Sequence, residues 1–176
     1  FADDMFSGWG VRTLSADEQA YNPLDYQVGS IWPHDNSLIA LGLRRYGFVE
    51  QVERIFTGIF EAATRFPHYR LPEVFDGFSR DSFDRPVHYP VACNPQAWAA
   101  GALPLLLTAS LGLEPDAAAG QLRIHRPCLP EWLSDVTLRG LRVGRAQVDL
   151  RYHRESGATL VAILKRHGKL AVTVDY

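Results

Sequence analysis

The stretch FVEQVERIFTGIFEAATR, residues 48–65, decides how the rest of the chain is read. Phe48, Val52, Ile55, Phe56, Ile59, Phe60 and Ala63 recur every three or four residues, the spacing of a helix with one buried stripe. Glu50 with Arg54, and Glu61 with Arg65, stand as i,i+4 pairs in the favourable order on the opposite face. Immediately upstream, residues 35–46 are apolar nearly all round (Leu38, Ile39, Ala40, Leu41, Leu43), which predicts a helix buried on most sides. Pro33 with Asp35 or Asn36 as cap opens that helix; Arg44 and Arg45 suit its last turn, and Gly47 ends it. Downstream, Asn94 as cap and Pro95 at the first position open a third helix. It runs to about Leu111, with Pro104 as the expected kink and Gly112 as the stop.

From Gln121 the period changes to two. Ala146, Val148, Leu150 and Tyr152 alternate with Gln147, Asp149, Arg151 and His153, and Leu170, Val172 and Val174 alternate again. Turn signals at Gly144, Ser156-Gly157 and His167-Gly168 divide residues 136–175 into a four-strand antiparallel meander after a short strand, Leu122 to His125. Gly140 interrupts the first strand of the meander and marks a bulge. Residues 1–120 hold 8 basic and 15 acidic side chains, whereas 121–176 hold 10 and 5. Two regions follow: a helical one over 1–120 and a β-rich one over 121–176.

Composition narrows the function. Apolar residues are 47%, charged residues 22% and the formal charge is −2, the profile of an ordinary globular protein with no call for nucleic acid or an anionic membrane. No apolar run is long enough to span a bilayer, and no signal peptide is expected. Cys93 and Cys128 stand apart with no CxxC, which favours free thiols and the cytoplasm. The six histidines show no ligand spacing for a metal, and no glycine loop has the context for phosphate or dinucleotide, so no cofactor is expected. The chain opens mid-pattern at Phe1, as the C-terminal piece of something longer would.

The chemistry is placed in Arg70-Leu71-Pro72-Glu73-Val74-Phe75-Asp76-Gly77-Phe78. Glu73 follows a proline in a loop walled by Leu71, Val74, Phe75 and Phe78, and such walls desolvate a carboxylate and raise its pKa. Loops preceding the helices, and the helix starts themselves, carry Trp9, Arg12, Trp32, His34, Asp35, Gln96 and Trp98. On one rim, these would offer aromatic faces for a sugar ring and polar tips for its hydroxyls. Asp35 is a rival carboxylate that a cap role explains equally well. Asp76, before Gly77, reads as turn chemistry.

Four ordered motifs carry a family resemblance: Ser7-Gly8-Trp9-Gly10-Val11-Arg12-Thr13, Gly29-Ser30-Ile31-Trp32-Pro33-His34-Asp35-Asn36, Leu71-Pro72-Glu73-Val74-Phe75-Asp76-Gly77 and Asn94-Pro95-Gln96-Ala97-Trp98. Over about residues 1–112 the chain resembles the closing part of the bacterial amylo-α-1,6-glucosidase (glycogen debranching) family. That resemblance implies a mainly α chain, the C-terminal part of an (α/α)6 toroid barrel followed by a small antiparallel β meander. It implies inverting hydrolysis of α-glucosidic linkages in an oligosaccharide or glycogen-like substrate, with Glu73 as the general base. Trp9, Arg12, Trp32, His34, Asp35, Gln96 and Trp98 match pocket-lining positions, and the general acid would lie upstream of Phe1. The partner would then be the rest of the barrel or a second copy. The competing reading is a non-catalytic carbohydrate-binding or interaction module.

Overall fold

The computed structural model describes residues 1–176. Helices α1 (Pro33–Arg45), α2 (Val49–Arg65) and α3 (Ala97–Leu111) span 13, 17 and 15 residues, with a 3₁₀ turn at Pro67–Tyr69 after α2. Strands β1 (Leu113–Asp116), β2 (Gln121–His125), β3 (Asp135–Val143), β4 (Ala146–Glu155), β5 (Ala158–His167) and β6 (Ala171–Asp175) follow. Helix and strand contents are about equal, and the strands form two three-stranded sheets. The expected mainly α chain, part of an (α/α)6 toroid, is therefore incorrect. The physical reason lies in residues 1–32 and 70–96: rich in turn formers and without a helical period, they stay irregular and supply no further helices. The chain divides into two units, Phe1–Leu107 and Thr108–Tyr176, and the division falls inside α3, upstream of the charge shift near Gly120.

In the first unit α1 packs on α2. The buried line of α2 is Val52, Ile55, Phe56, Gly58, Ile59, Ala62 and Ala63, close to the stripe read from sequence, although Phe48 is half-exposed. The two surface pairs expected along α2 are replaced by contacts outside the helix. Glu61 pairs with Arg80, and the Arg54 guanidinium lies 4.8 Å from the Phe6 ring centre.

Helix α1 departs further from expectation. It buries Pro33, Asn36, Ser37, Ala40 and Arg44 and leaves Leu38 and Ile39 exposed. Small and polar residues let the packed face approach its neighbours closely, so apolarity alone chose the wrong side. Trp32, not Asp35 or Asn36, occupies the N-cap position, without a side-chain capping bond. Asn36 instead turns inward: its Oδ1 accepts from Val11 N (2.7 Å), and its Nδ2 donates to Val11 O (3.1 Å) and Trp32 O (3.0 Å). One buried amide thus pins the irregular N-terminal segment to the helix, with every polar atom satisfied. Gly47, at φ +81°, ends the helix as predicted, donating to Arg44 O at 3.0 Å. The start of α3 also shifts: Asn94 and Pro95 lie outside it, and Gln96 Oε1 accepts from Ala97 N at 3.0 Å.

Three short extended segments carry the Glu73 stretch into this unit. Ile31 and Phe75 exchange backbone bonds of 2.9 and 3.0 Å, and Asp76 N donates to Val87 O at 3.0 Å. Asp76 is only 2% exposed, and its Oδ1 is buried without a hydrogen-bond partner. Burial raises its pKa above the ordinary 3.8, with His88 pulling weakly the other way. The folded protein therefore keeps this proton over a range in which the unfolded chain has lost it. Its contribution is fully favourable below the ordinary carboxylate range and is lost as pH rises through the raised value. Asp76→Asn is expected to raise the melting temperature at pH 7 by roughly 2–4 °C, the shift about 1 kcal/mol produces in a chain of this size. In thermal melts the gain should vanish near pH 4; a pH-independent difference would contradict the assignment.

In the second unit β3, β4 and β5 form an antiparallel meander in which β4 buries Ala146, Val148, Leu150 and Tyr152, the alternation seen in the sequence. The register shifts between Leu138 and Leu141, where Gly140 (φ +70°) donates to Asp149 Oδ1 at 2.6 Å. The expected fourth meander strand is elsewhere. β6 pairs parallel with β2, which pairs antiparallel with β1, so Leu122 and Ile124 sit buried in the middle strand of that sheet. No helix is long and apolar enough to cross a membrane.

Candidate functional site

Glu73 is 6% exposed and is held at both ends of the residue. Its backbone N–H donates to Cys93 O at 2.9 Å, and Cys93 N–H returns a bond to Glu73 Oε2 at 3.2 Å. The other oxygen, Oε1, accepts from the Tyr26 hydroxyl at 2.8 Å. The charge state follows from these donors. Tyr26 is the largest cause lowering the Glu73 pKa; burial opposes it, and the Cys93 backbone, the Cys93 thiol and Gln96 assist. The Tyr26 hydroxyl is correspondingly pushed up to about 12, first by its bond to Glu73 and then by burial. The sequence reading expected apolar walls to raise the carboxyl's pKa. The structure reverses that sign, because donors to the ionised form outweigh desolvation. An ionised carboxylate at neutral pH suits a base and not an acid.

From Tyr26 a run of rings leads away from the carboxylate. Tyr26 lies 5.6 Å from Tyr89 and packs edge-on against Trp32 at 4.7 Å; Trp32 meets His34 edge-on at 5.7 Å, and His34 tilts against Trp98 at 5.3 Å. The run is fixed by bonds to backbone. Trp32 Nε1 donates to Tyr26 O (3.1 Å) and Ser30 Oγ (3.0 Å), and Ser30 Oγ donates to Tyr26 O at 2.6 Å. Trp32 is largely covered, whereas Trp98 is 48% exposed at the far end and offers an open aromatic face. His34 Nε2 lies 3.1 Å from Asp35 Oδ1, and its Nδ1 is buried without a hydrogen-bond partner.

Six of the residues singled out from sequence therefore belong to one neighbourhood: Glu73, Trp32, His34, Asp35, Gln96 and Trp98. Two do not offer what was expected of them. Trp9 is 1% exposed, with the Arg80 guanidinium 4.5 Å from its ring centre, so no face remains for a ligand. Its backbone packs so closely on α2 that a Cβ at Gly58 would lie 2.5 Å from Trp9 O. Arg12, 6% exposed, spends its donors on Gly77 O (2.8 Å), Asp3 O (3.2 Å) and Asp4 O (2.9 Å). It braces the Glu73 stretch from behind. Tyr26, Tyr89 and Cys93 were not picked out from sequence. Tyr26 sits in an aperiodic loop 47 residues from Glu73, and no local pattern marks that pairing.

Tyr26→Phe tests the electrostatics directly. With the chief donor gone, the Glu73 carboxyl should titrate at higher pH than in the wild type, followed by carbon NMR of the labelled side chain. An unchanged titration would show that Cys93 and Gln96 alone set its charge.

No protein-family model matches this sequence, and no curated protein matches it.

Proposed function

We propose that this chain contributes the water-activating half of an inverting glycoside hydrolase acting on α-glucosidic linkages of glycogen or oligosaccharide type. The observation that carries the reading is a carboxylate kept ionised by Tyr26 and Cys93 beside a run of aromatic rings that ends in an open tryptophan. In this reading Glu73 removes a proton from water as the water attacks the anomeric carbon, and Trp98 stacks on a sugar ring. Asp35, half-exposed and paired with His34, is a hydroxyl-binding group. Inversion also needs a second carboxyl about 6.5–9.5 Å from the base. We assign that general acid to residues outside these 176, so the isolated chain binds sugar and turns nothing over. The proposed compartment is the cytoplasm, on the strength of two free cysteines.

The test is the stereochemistry of hydrolysis by the full-length protein. Proton NMR of the first product from an α-glucoside should show β-glucose before mutarotation; α-glucose, or no hydrolysis, would count against the proposal. A non-catalytic sugar-binding module is the second reading. It is favoured by one observation, that both Glu73 oxygens already accept hydrogen bonds.

A further inference from the structure

Strand β5 is bonded on one side only. It stands at the edge of the sheet β3-β4-β5, and β4 is its one neighbour there. Its run from Ala158 to Leu164, ATLVAIL, holds no charge and no proline. Leu160, Ile163 and Leu164 are each about half exposed, and Ala158 and Ala162 are exposed as well. Sheet edges are ordinarily defended by charge, proline or a bulge, because unpaired backbone groups accept a further strand. On β5 those defences sit at one end. The register against β4 slips so that Leu164 has no partner there, and Lys165, Arg166 and His167 follow.

The open part of the edge already recruits an acceptor. The Val161 N–H turns away from β4 and donates to the Tyr176 hydroxyl at 3.3 Å. Tyr176 is itself exposed, so its phenol stands where a neighbouring strand would place a carbonyl. At that length the bond is weak and easily exchanged. Charge then selects the direction of a second strand. Two β5 strands paired parallel and in register would set the three basic side chains of one on those of the other. Antiparallel pairing sends that basic end past the opposite hairpin, Glu155–Gly157, where Glu155 is exposed and Arg154 is already engaged by Glu131.

We propose that β5 is a docking edge for β5 of a second copy of this chain, the two strands antiparallel about a two-fold axis at Val161. Val161 exchanges backbone bonds with the partner's Val161, and the Tyr176 hydroxyl gives way to that carbonyl. Leu160 stands opposite the partner's Ala162, and Glu155 meets the partner's Lys165 and His167. Two three-stranded sheets become one of six strands, and the isologous contact closes at two copies. The pairing is independent of the chemistry at Glu73.

Sedimentation equilibrium of the full-length protein tests it. Wild type should dimerise with a dissociation constant of micromolar order. Val161→Pro removes only the N–H that faces away from β4 and should raise that constant about tenfold or more. Glu155→Lys should weaken the dimer comparably by facing the partner's cations, and adding His167→Glu should restore it. Glu155 and His167 are both exposed, so the outcome does not hang on the proline variant folding. A wild type that stays monomeric at roughly 100 µM, or a dimer that neither Val161→Pro nor Glu155→Lys weakens, would overturn the docking edge. Weakening by Glu155→Lys without recovery in the double variant, or assembly beyond two copies, would overturn the antiparallel two-fold.

Discussion

Glu73→Gln in the full-length protein is expected to lower kcat by at least 10²-fold and towards about 10⁴-fold, the usual worth of a positioned general base. KM for the α-glucoside should change little, because an amide of the same shape still fills the position. The cost to folding is small and can be reasoned from the partners. The amide oxygen still accepts from Tyr26, but the amide nitrogen then faces Cys93 N–H, donor against donor. One bond is lost, at about 1–2 kcal/mol. A cooperative melt a few degrees below wild type, with turnover gone, is the expected pair of results. Near-normal hydrolysis would remove Glu73 from the chemistry.

The second large effect concerns the scaffold behind that carboxylate. A Cβ at Gly77 would lie 1.7 Å from Gly29 O and 2.7 Å from its carbonyl carbon, so Gly77→Ala places an atom inside the backbone of the neighbouring segment. Neither side can yield cheaply. Gly77 N donates to Pro23 O, and Gly77 O accepts from Arg12 Nε and the Tyr21 hydroxyl at 2.8 and 3.0 Å. Overpacking of this kind costs 1–3 kcal/mol where side chains absorb it, and more where only backbone is present. We expect a loss of about 3 kcal/mol or more, roughly 6–12 °C in melting temperature for a chain of this size. Sugar binding should weaken in parallel, because Glu73 and Gly77 lie on the same stretch. A melting temperature within a degree or two of wild type would contradict the close contact.

What the sequence displayed was local, and what it hid was choice of partner. The stripe on α2, the glycine stop of α1 and the β4 alternation each follow from a period within one element, and they appear in place. The parallel pairing of β6 with β2 joins segments some fifty residues apart, and nothing in Ala171–Asp175 distinguishes that neighbour from β5. The tryptophans make the same point within the site. Trp9 and Trp98 stand in equally glycine- or alanine-rich surroundings, yet one is sealed by Arg80 and the other half-open, because burial depends on what crosses over them. Glu73 itself was legible as a carboxylate among apolar residues. Its charge was not, since the hydroxyl that sets it comes from Tyr26, in a loop with no period to betray it.

Titration of a protonated iminosugar of glucose configuration into the full-length protein and its Glu73→Gln variant tests the central claim most directly. An ionised carboxylate beside the exposed Trp98 ring, read as proposed, predicts binding to the wild type, weakened at least tenfold when that charge is removed. No binding to the wild type, or equal affinity for both proteins, would contradict it.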